Sequence, residues 1–324
     1  MNKKIVSEDE TFTKNYVTSI SVNKLNKSQI SNDVTANKKV SALNYLEANA
    51  YIFEDSDDIS FKSLDLFYKR SQVTNHISLA ADVGLISLSQ NETEYKGIRY
   101  GGTIYYDNFS LRLGINDYDD FSEFVPTLKY QNNYKRHSYS LEYTRQNSLF
   151  YTYSLKSYEK RIVANHFSLS DYVMFANKMD LWANIEVNLF SNDDTEVTGQ
   201  FDLIFYKNSH WTPKFTYSLA LEGWYTSHSK QHTDFYSPSF ADSTLLRFNP
   251  QYIFSKYIGI RAKIGAGYSV SDETIPYKYG AWLFGNPINN LHYEIGCLES
   301  NAARLAIGGD YHYRECKANI GYTW

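Results

Sequence analysis

From Ala42 to the last residue, apolar and polar side chains alternate with a period of two. In Ile77–Leu85, the residues Ile77, Leu79, Ala81, Val83 and Leu85 share one face, and Ser78, Ala80, Asp82 and Gly84 share the other. Met179–Leu189 sets Met179, Leu181, Ala183, Ile185, Val187 and Leu189 against Asp180, Trp182, Asn184, Glu186 and Asn188. Phe109, Leu111, Leu113 and Ile115 alternate with Ser110, Arg112, Gly114 and Asn116, and the same rhythm runs through Ile258–Val270 around Arg261 and Lys263. Two is the period of a β-strand, and helical periodicity is almost absent. Runs of ~9–12 residues with one apolar and one charged face suit strands that cross a bilayer at a tilt. About seventeen such runs lie between Asn44 and Trp324, and single-chain bacterial barrels have even strand numbers. The pattern predicts an all-β fold over residues 41–324: a transmembrane antiparallel up-and-down β-barrel of 16 strands, or 18. Residues 1–40, rich in Asn, Lys, Ser and Asp, read as a polar lead-in or linker with at most one short strand at Tyr16–Val22.

Connection lengths support that topology. Tight turns at Phe254–Tyr257 and Asn286–Asn290 alternate with longer segments at Ser229–Ser243 and Ser271–Lys278, as barrel turns and loops do. Composition adds one anomaly: aromatics make up 17% of the chain and 30 residues are Tyr. Tyr has an apolar body and a polar tip, so Tyr100, Tyr106, Tyr139, Tyr143, Tyr151, Tyr153, Tyr217, Tyr252 and Tyr268, near strand ends, are expected in interfacial girdles. Mean hydropathy is −0.48 and no run reaches the ~18 apolar residues of a membrane helix, a limit that does not bind strands. A net charge of −4 gives no reason to expect nucleic acid as a partner. The stretch MNKKIVSEDETFTKN has no apolar core of an export signal, so an outer-membrane chain with this start is expected to be a mature or excised fragment. A soluble all-β fold also alternates, but it does not call for charge on the second face of nearly every strand.

That charged face carries Asp65, Asp82, Glu142, Asp180, Glu186, Asp202, Glu222, Glu294 and Asp310, together with Lys69, Arg99, Arg112, Lys129, Lys156, Arg247, Arg261, Lys263 and Arg304. Unpaired charges in a dry interior are costly, so the set implies a watered channel or a salt-bridged lining. The near balance of signs fits a neutral or weakly charged cargo better than an anionic one. Phe67, Tyr105, Trp182, Tyr206 and Trp224 offer aromatic faces for sugar rings, or for plain packing of the interior. Glu222, Trp224, Arg247, Arg261, Lys263, Trp182 and Glu186 are the expected pore lining. His228, His232 and Asp234 fall in a segment expected to be a solvated loop, where His-x3-His spacing does not converge on a metal. Ser227 beside His228, and His76 near Asp82, lack any surrounding nucleophile motif, so neither an enzyme nor a cofactor is expected.

The two cysteines allow two parses. If Leu291–Cys297 pairs with Cys316–Trp324, then Leu291, Tyr293, Ile295 and Cys297 oppose Tyr322, Ile320, Ala318 and Cys316, every apolar residue shares a face, and a disulfide is in reach. If Ala303–Tyr313 is a strand of its own, the cysteines sit at opposite ends and stay apart.

The final stretch ECKANIGYTW places Cys316, Ala318, Ile320, Tyr322 and Trp324 on one face and ends on an aromatic. It resembles the C-terminal assembly signal of bacterial outer-membrane proteins, with Trp where Phe is usual. The resemblance implies that Ile320, Tyr322 and Trp324 are read by the barrel-assembly machinery and that this strand closes the barrel against the first. Asp234–Ser269, with Tyr236, Ser237 and Pro238, resembles the barrel of exopolysaccharide-exporting porins of the cellulose and poly-N-acetylglucosamine type. It implies a Gram-negative outer-membrane location, lipid around the barrel, and non-catalytic passage of a hydrophilic polymer. It also implies a periplasmic helical scaffold as partner or as part of a longer parent. A closed surface barrel acting as receptor or adhesin through its loops, and a general diffusion porin, stand as alternatives.

Overall fold

The period-two pattern folds as sixteen antiparallel strands closed into one barrel. The computed structural model describes Asn44–Trp324 apart from residues 177–178, 213, 232–234, 256, 289, 304–305 and 308–310, so the lead-in expected over residues 1–40 lies outside the described residues. The strands and the two helical turns that interrupt them run β1 (Asn44–Asp55), β2 (Ile59–Arg70), β3 (Ile77–Gln90), β4 (Thr93–Tyr106), β5 (Phe109–Tyr118), β6 (Ser122–Tyr134), β7 (His137–Asn147), α1 (Leu149–Thr152), α2 (Leu155–Glu159), β8 (Val163–Ala176), β9 (Met179–Phe190), β10 (Thr195–Thr212), β11 (Phe215–His228), β12 (Ala241–Ser255), β13 (Ile258–Tyr268), β14 (Tyr277–Gly285) and β15 (Leu291–Ser300). A small hairpin, β16 (Ala302–Ala303) and β17 (Ala306–Ile307), precedes the last strand, β18 (Tyr313–Thr323). Neighbours in sequence are neighbours in the sheet, and β1 pairs with β18 to close it. At the seam the Asn44 N–H donates to the Trp324 carbonyl at 2.8 Å, and the Trp324 N–H donates to the Asn44 carbonyl at 3.0 Å.

Alternation sends the apolar residues outward. Leu85 is 53% exposed and Leu246 is 58% exposed, while Arg247, next to Leu246 in sequence, is 4% exposed. An exterior this apolar is the lipid-facing band of an outer-membrane barrel. Tyr68, Tyr106, Phe109, Phe254 and Trp324 stand exposed at the end where β1 starts and β18 finishes; Tyr225, Tyr268 and Tyr279 stand exposed toward the other. Tyr151 and Tyr153 are exceptions to the expected girdle: they belong to the segment around α1, which is not part of a strand. Tight turns use residues that tolerate a left-handed backbone, such as Asn91 (φ 55°) and Asp107 (φ 49°), because their short polar side chains support it locally.

β15 and β18 pair in the register that aligns Leu291 with Tyr322, Tyr293 with Ile320, Ile295 with Ala318 and Cys297 with Cys316. The cysteines form a disulfide across a Cα separation of 4.1 Å, on the outward face. The parse that made Ala303–Tyr313 a strand is corrected: Tyr313 begins β18, and among the described residues before it lies a hairpin of two residues per strand.

Trp324 stacks on Tyr322 (5.6 Å between ring centres) and approaches Tyr68 of β2 (6.2 Å), so one aromatic cluster spans the closing seam. Replacing Trp324 by Asp puts a charge in that interface, and the barrel is expected to fail to assemble. Loss of the heat-modifiable band from outer-membrane fractions checks this, and a normal band counts against it.

Candidate functional site

The inward face is charged, and its charges are paired, in large part between strands that are not neighbours. Arg99 on β4 donates Nε and Nη2 to the Asp65 carboxylate on β2, at 2.8 and 2.5 Å. Arg112 on β5 does the same to Asp82 on β3, at 3.0 and 2.6 Å. Arg261 on β13 reaches Glu294 on β15 at 2.5 Å, with its guanidinium 5.5 Å from the ring centre of Trp282 on the strand between. Arg247 on β12 binds Asp202 on β10 at 2.6 Å and also Glu222 on β11, whose other oxygen takes Lys278 from β14. Lys129–Glu142 at 3.0 Å and Lys207–Asp180 continue the series.

Strands lie about 4.8 Å apart, so a pair that skips a strand must cross close over the backbone between. Glycine makes that possible for the Arg99–Asp65 and Arg112–Asp82 pairs. A methyl group on Gly84 would overlap both Asp65 and Arg99, and one on Gly101 would meet the Arg112 guanidinium. The bidentate pairs therefore lie flat along the wall, and the partnering offsets the cost of holding charge away from bulk water. The sequence implied a watered channel or a salt-bridged lining; among the described residues, Asp65, Asp82, Glu142, Asp180, Asp202, Glu222 and Glu294 are in ion pairs.

The expected lining residues Glu222, Trp224, Arg247, Arg261, Lys263, Trp182 and Glu186 all occupy inward positions of their strands. Glu186 accepts from Asn184 Nδ2 at 2.7 Å, and Lys263 sits 5.9 Å from the Trp282 ring. Phe67 and Tyr105 also face inward, with Lys69 Nζ 4.1 Å over the Tyr105 ring. Two expectations are corrected. Tyr206 lies on the outer face, beside Tyr217, because a bulge between Ile204 and Tyr206 reverses the alternation. Lys156 lies on α2 and not on a strand. Arg304, Asp310, His232 and Asp234 fall outside the described residues.

The 148–162 connection was not legible as a separate element, and it folds into the lumen. β8 stands opposite β18 in the ring of strands, yet α1 and α2 pack against β1, β2 and β18. The segment thus crosses the barrel at the end where β1 finishes and β18 starts. Leu149 and Tyr158, each 1% exposed, and Leu155 pack among Phe53, Phe61, Leu88, Tyr118, Trp282 and Tyr313. The Tyr158 ring lies 4.5 Å from Tyr95, and the Tyr95 hydroxyl donates to Glu159 at 3.1 Å. Burial, with Asp120 and Asp119 near, holds the Tyr158 phenol above its ordinary pKa. Ser154 caps α2 by accepting from the Ser157 N–H at 3.3 Å. α1 ends at Tyr153 in the left-handed region (φ 45°, ψ 33°), a conformation that costs a non-glycine residue about 1–2 kcal/mol.

A second buried set covers the facing wall. Asp194, in the turn before β10, accepts from His228 Nδ1 at 2.7 Å, from Ser229 Oγ at 3.0 Å and from the Lys230 N–H at 3.0 Å. Glu196 stands 3.8 Å from His228 Nε2 and accepts from Thr198, Thr226 and Asn188. Asn188 bonds His166 at 2.8 Å, and the Tyr151 ring stacks on His166 at 4.9 Å. His228 is therefore not a solvated loop residue: it closes β11, buried, with Phe235 from the following loop 5.9 Å away. Ser227 lies on the opposite face of β11, so the two do not form a dyad. His76 pairs with Asp107 at 2.8 Å in a turn, while Asp82 serves Arg112.

Two outcomes follow from this geometry. Gly84→Val is expected to displace the Arg99–Asp65 pair and to lower stability by about 1–3 kcal/mol, read as an earlier unfolding transition in detergent. Burial alone would raise the Asp194 pKa, but the bonds from His228, Lys230 and Ser229 outweigh it, and the carboxyl is held below its ordinary value. A depressed folded pKa means that the tether holds fully above the unfolded value of about 3.9 and is lost as pH falls through the lower folded one. Proteolysis within residues 229–240 is expected to rise at that acidic limit, and in Asp194→Asn already at neutral pH.

No protein-family model matches the chain, and no curated protein matches it. Solved structures do match in fold. One described as "Bacterial polysaccharide outer membrane secretin" superposes with a TM-score of 0.69 at 9% identity, covering 87% of this chain and 98% of that one. CdiB from Acinetobacter baumannii superposes with a TM-score of 0.52 at 8% identity, covering 87% of this chain and 60% of its own. Closed strand order, an apolar exterior and these likenesses agree: the chain is an outer-membrane β-barrel of sixteen strands, similar in fold to a polysaccharide secretin.

Proposed function

We propose that the barrel is a non-catalytic outer-membrane channel for a hydrophilic polymer, with an exopolysaccharide as the cargo class, closed at its loop end by α1 and α2. The observation that carries this reading is the state of the wall. Charges tied flat in pairs present hydrogen-bonding groups of both signs and little net field, so a neutral, hydroxyl-rich chain exchanges hydrogen bonds with the wall at small net cost. The fold likeness to a bacterial polysaccharide outer membrane secretin points the same way. In this reading the end where β1 starts and β18 finishes faces the periplasm, the long loops face outward, and the assembly machinery and a periplasmic scaffold are the partners.

The crossing segment supports closure as a second state. A barrel permanently sealed by it would act through its loops as a receptor, and conductance separates the two. The wild-type barrel in a planar bilayer is expected to conduct weakly, and replacement of residues 149–159 by a short Gly-Ser linker to raise conductance severalfold. Absence of conductance in both proteins rejects the channel and favours the sealed barrel.

A further inference from the structure

Under the crossing segment, the ring face of Phe53 is flanked by Phe61 and Tyr51, whose rings are tilted, with polar groups at the edge. Phe53 on β1 presents its ring to the lumen; Tyr153 stacks on it at 4.9 Å with 11° between planes, and Tyr313 of β18 lies 5.5 Å away at 26°. Phe61 of β2 stands 5.2 Å from the same Tyr153 ring. At the edge, the Tyr51 hydroxyl donates to Glu315 at 3.3 Å, Glu315 holds Lys317 at 2.6 Å, and Lys317 Nζ lies 5.3 Å from the Tyr51 ring centre. The Tyr51 and Tyr153 side chains are themselves hydrogen-bonded. Tyr153 thus offers the surface two handles: a flat apolar face for Phe53 and a hydroxyl for the polar edge.

Those are the handles of a pyranose, which stacks its C–H face on an aromatic ring and turns hydroxyls toward acceptors and donors at the rim. Phe53, Phe61, Tyr51 and Tyr313 hang from strands β1, β2 and β18, whose ladder partners are one another and not the segment. Tyr153 reaches its place only through a left-handed backbone that a non-glycine residue adopts at a cost. The wall is built; the occupant is held there.

We propose that Phe53, Phe61 and Tyr51, with Glu315 and Lys317 at the rim, form a pyranose-stacking subsite in the lumen, occupied in the closed barrel by the side chain of Tyr153. A glycan entering from the other mouth displaces that ring, and arrival of cargo and release of the crossing segment become one event. This inference rests on the channel reading for its cargo, but its test does not.

Isothermal titration calorimetry of the full-length, detergent-purified barrel with cellohexaose measures the subsite without requiring conduction. If Tyr153 holds the subsite most of the time, Tyr153→Gly is expected to bind cellohexaose about tenfold more tightly than wild type, since removing an internal competitor restores the intrinsic affinity. Adding Phe53→Ala to that variant is expected to abolish the gain. Equal affinity in wild type and Tyr153→Gly, retention of the gain after Phe53→Ala, or no binding in any of the three overturns the proposal. Heat-modifiable migration checks the fold of each variant. Tyr153→Asn, which also tolerates the left-handed backbone, replaces the glycine variant if that one does not assemble. A conducting barrel with no sugar binding removes this inference alone; binding without conductance removes the channel reading alone.

Discussion

Backbone N–H and C=O groups have no partner in hydrocarbon other than another strand, so a sheet in a bilayer must have no edge. The pairing of β1 with β18, sealed by the two hydrogen bonds between Asn44 and Trp324, meets that requirement, and the rest of the architecture follows from it. Closure inverts the usual order of a globular protein. The apolar set faces out, and the polar and charged set must find its partners inside. Arg99, Arg112, Arg247 and Arg261 supply reach and a guanidinium that matches a carboxylate, and for Arg99 and Arg112 a glycine in the strand between supplies clearance. The described glycines accordingly sit in strands, and the left-handed turn positions go to residues such as Asn91 and Asp107.

A sixteen-stranded wall encloses more space than its own side chains fill. Along much of the inner face, ion pairs laid against the wall leave that space to water. Toward the loop end, the space is taken by chain folded in from above. α1 and α2 bring an aromatic core that would suit a small soluble domain, with Tyr158 at its centre, and the loop after β11 settles on the opposite wall through Asp194 and Phe235. The two closures differ in kind. One is apolar packing, insensitive to salt and strengthened by burial; the other is a buried carboxylate tether that answers to pH.

Much of this was written in the alternation. Strand type and the outward set follow from a period of two, because a one-residue slip would turn an entire face the wrong way; the pairing of β15 with β18 and its Cys297–Cys316 disulfide were one of two parses that the alternation allowed. What escaped has a shared cause: it depends on placement around the ring and not on neighbours in sequence. Arg99 and Asp65 are separated by 34 residues, Arg247 and Asp202 by 45, and nothing local selects those partners. Tyr206 was misplaced because a single bulge shifts parity without a marker in the sequence. α1 and α2, of four and five residues, are too short for a 3.6-residue period to register, although the aromatic run Phe150, Tyr151, Tyr153 already broke the alternation.

The position of that break matters for how the barrel can work. A plug made from a separate domain has to leave or rearrange as a whole. Here the closing segment is a connection between β7 and β8, anchored at both ends to the wall, so it can withdraw from the far wall without leaving the barrel. Its contacts there are mainly ring on ring, over strands whose own hydrogen bonds do not depend on it. Withdrawal therefore exposes aromatic surface while the barrel stays closed on itself, and an exposed aromatic face in a watered lumen is unfavourable until something apolar on one side and hydroxylated at its edges covers it. In the proposed channel, such a barrel would be coupled to its cargo through the surface that the crossing segment leaves behind.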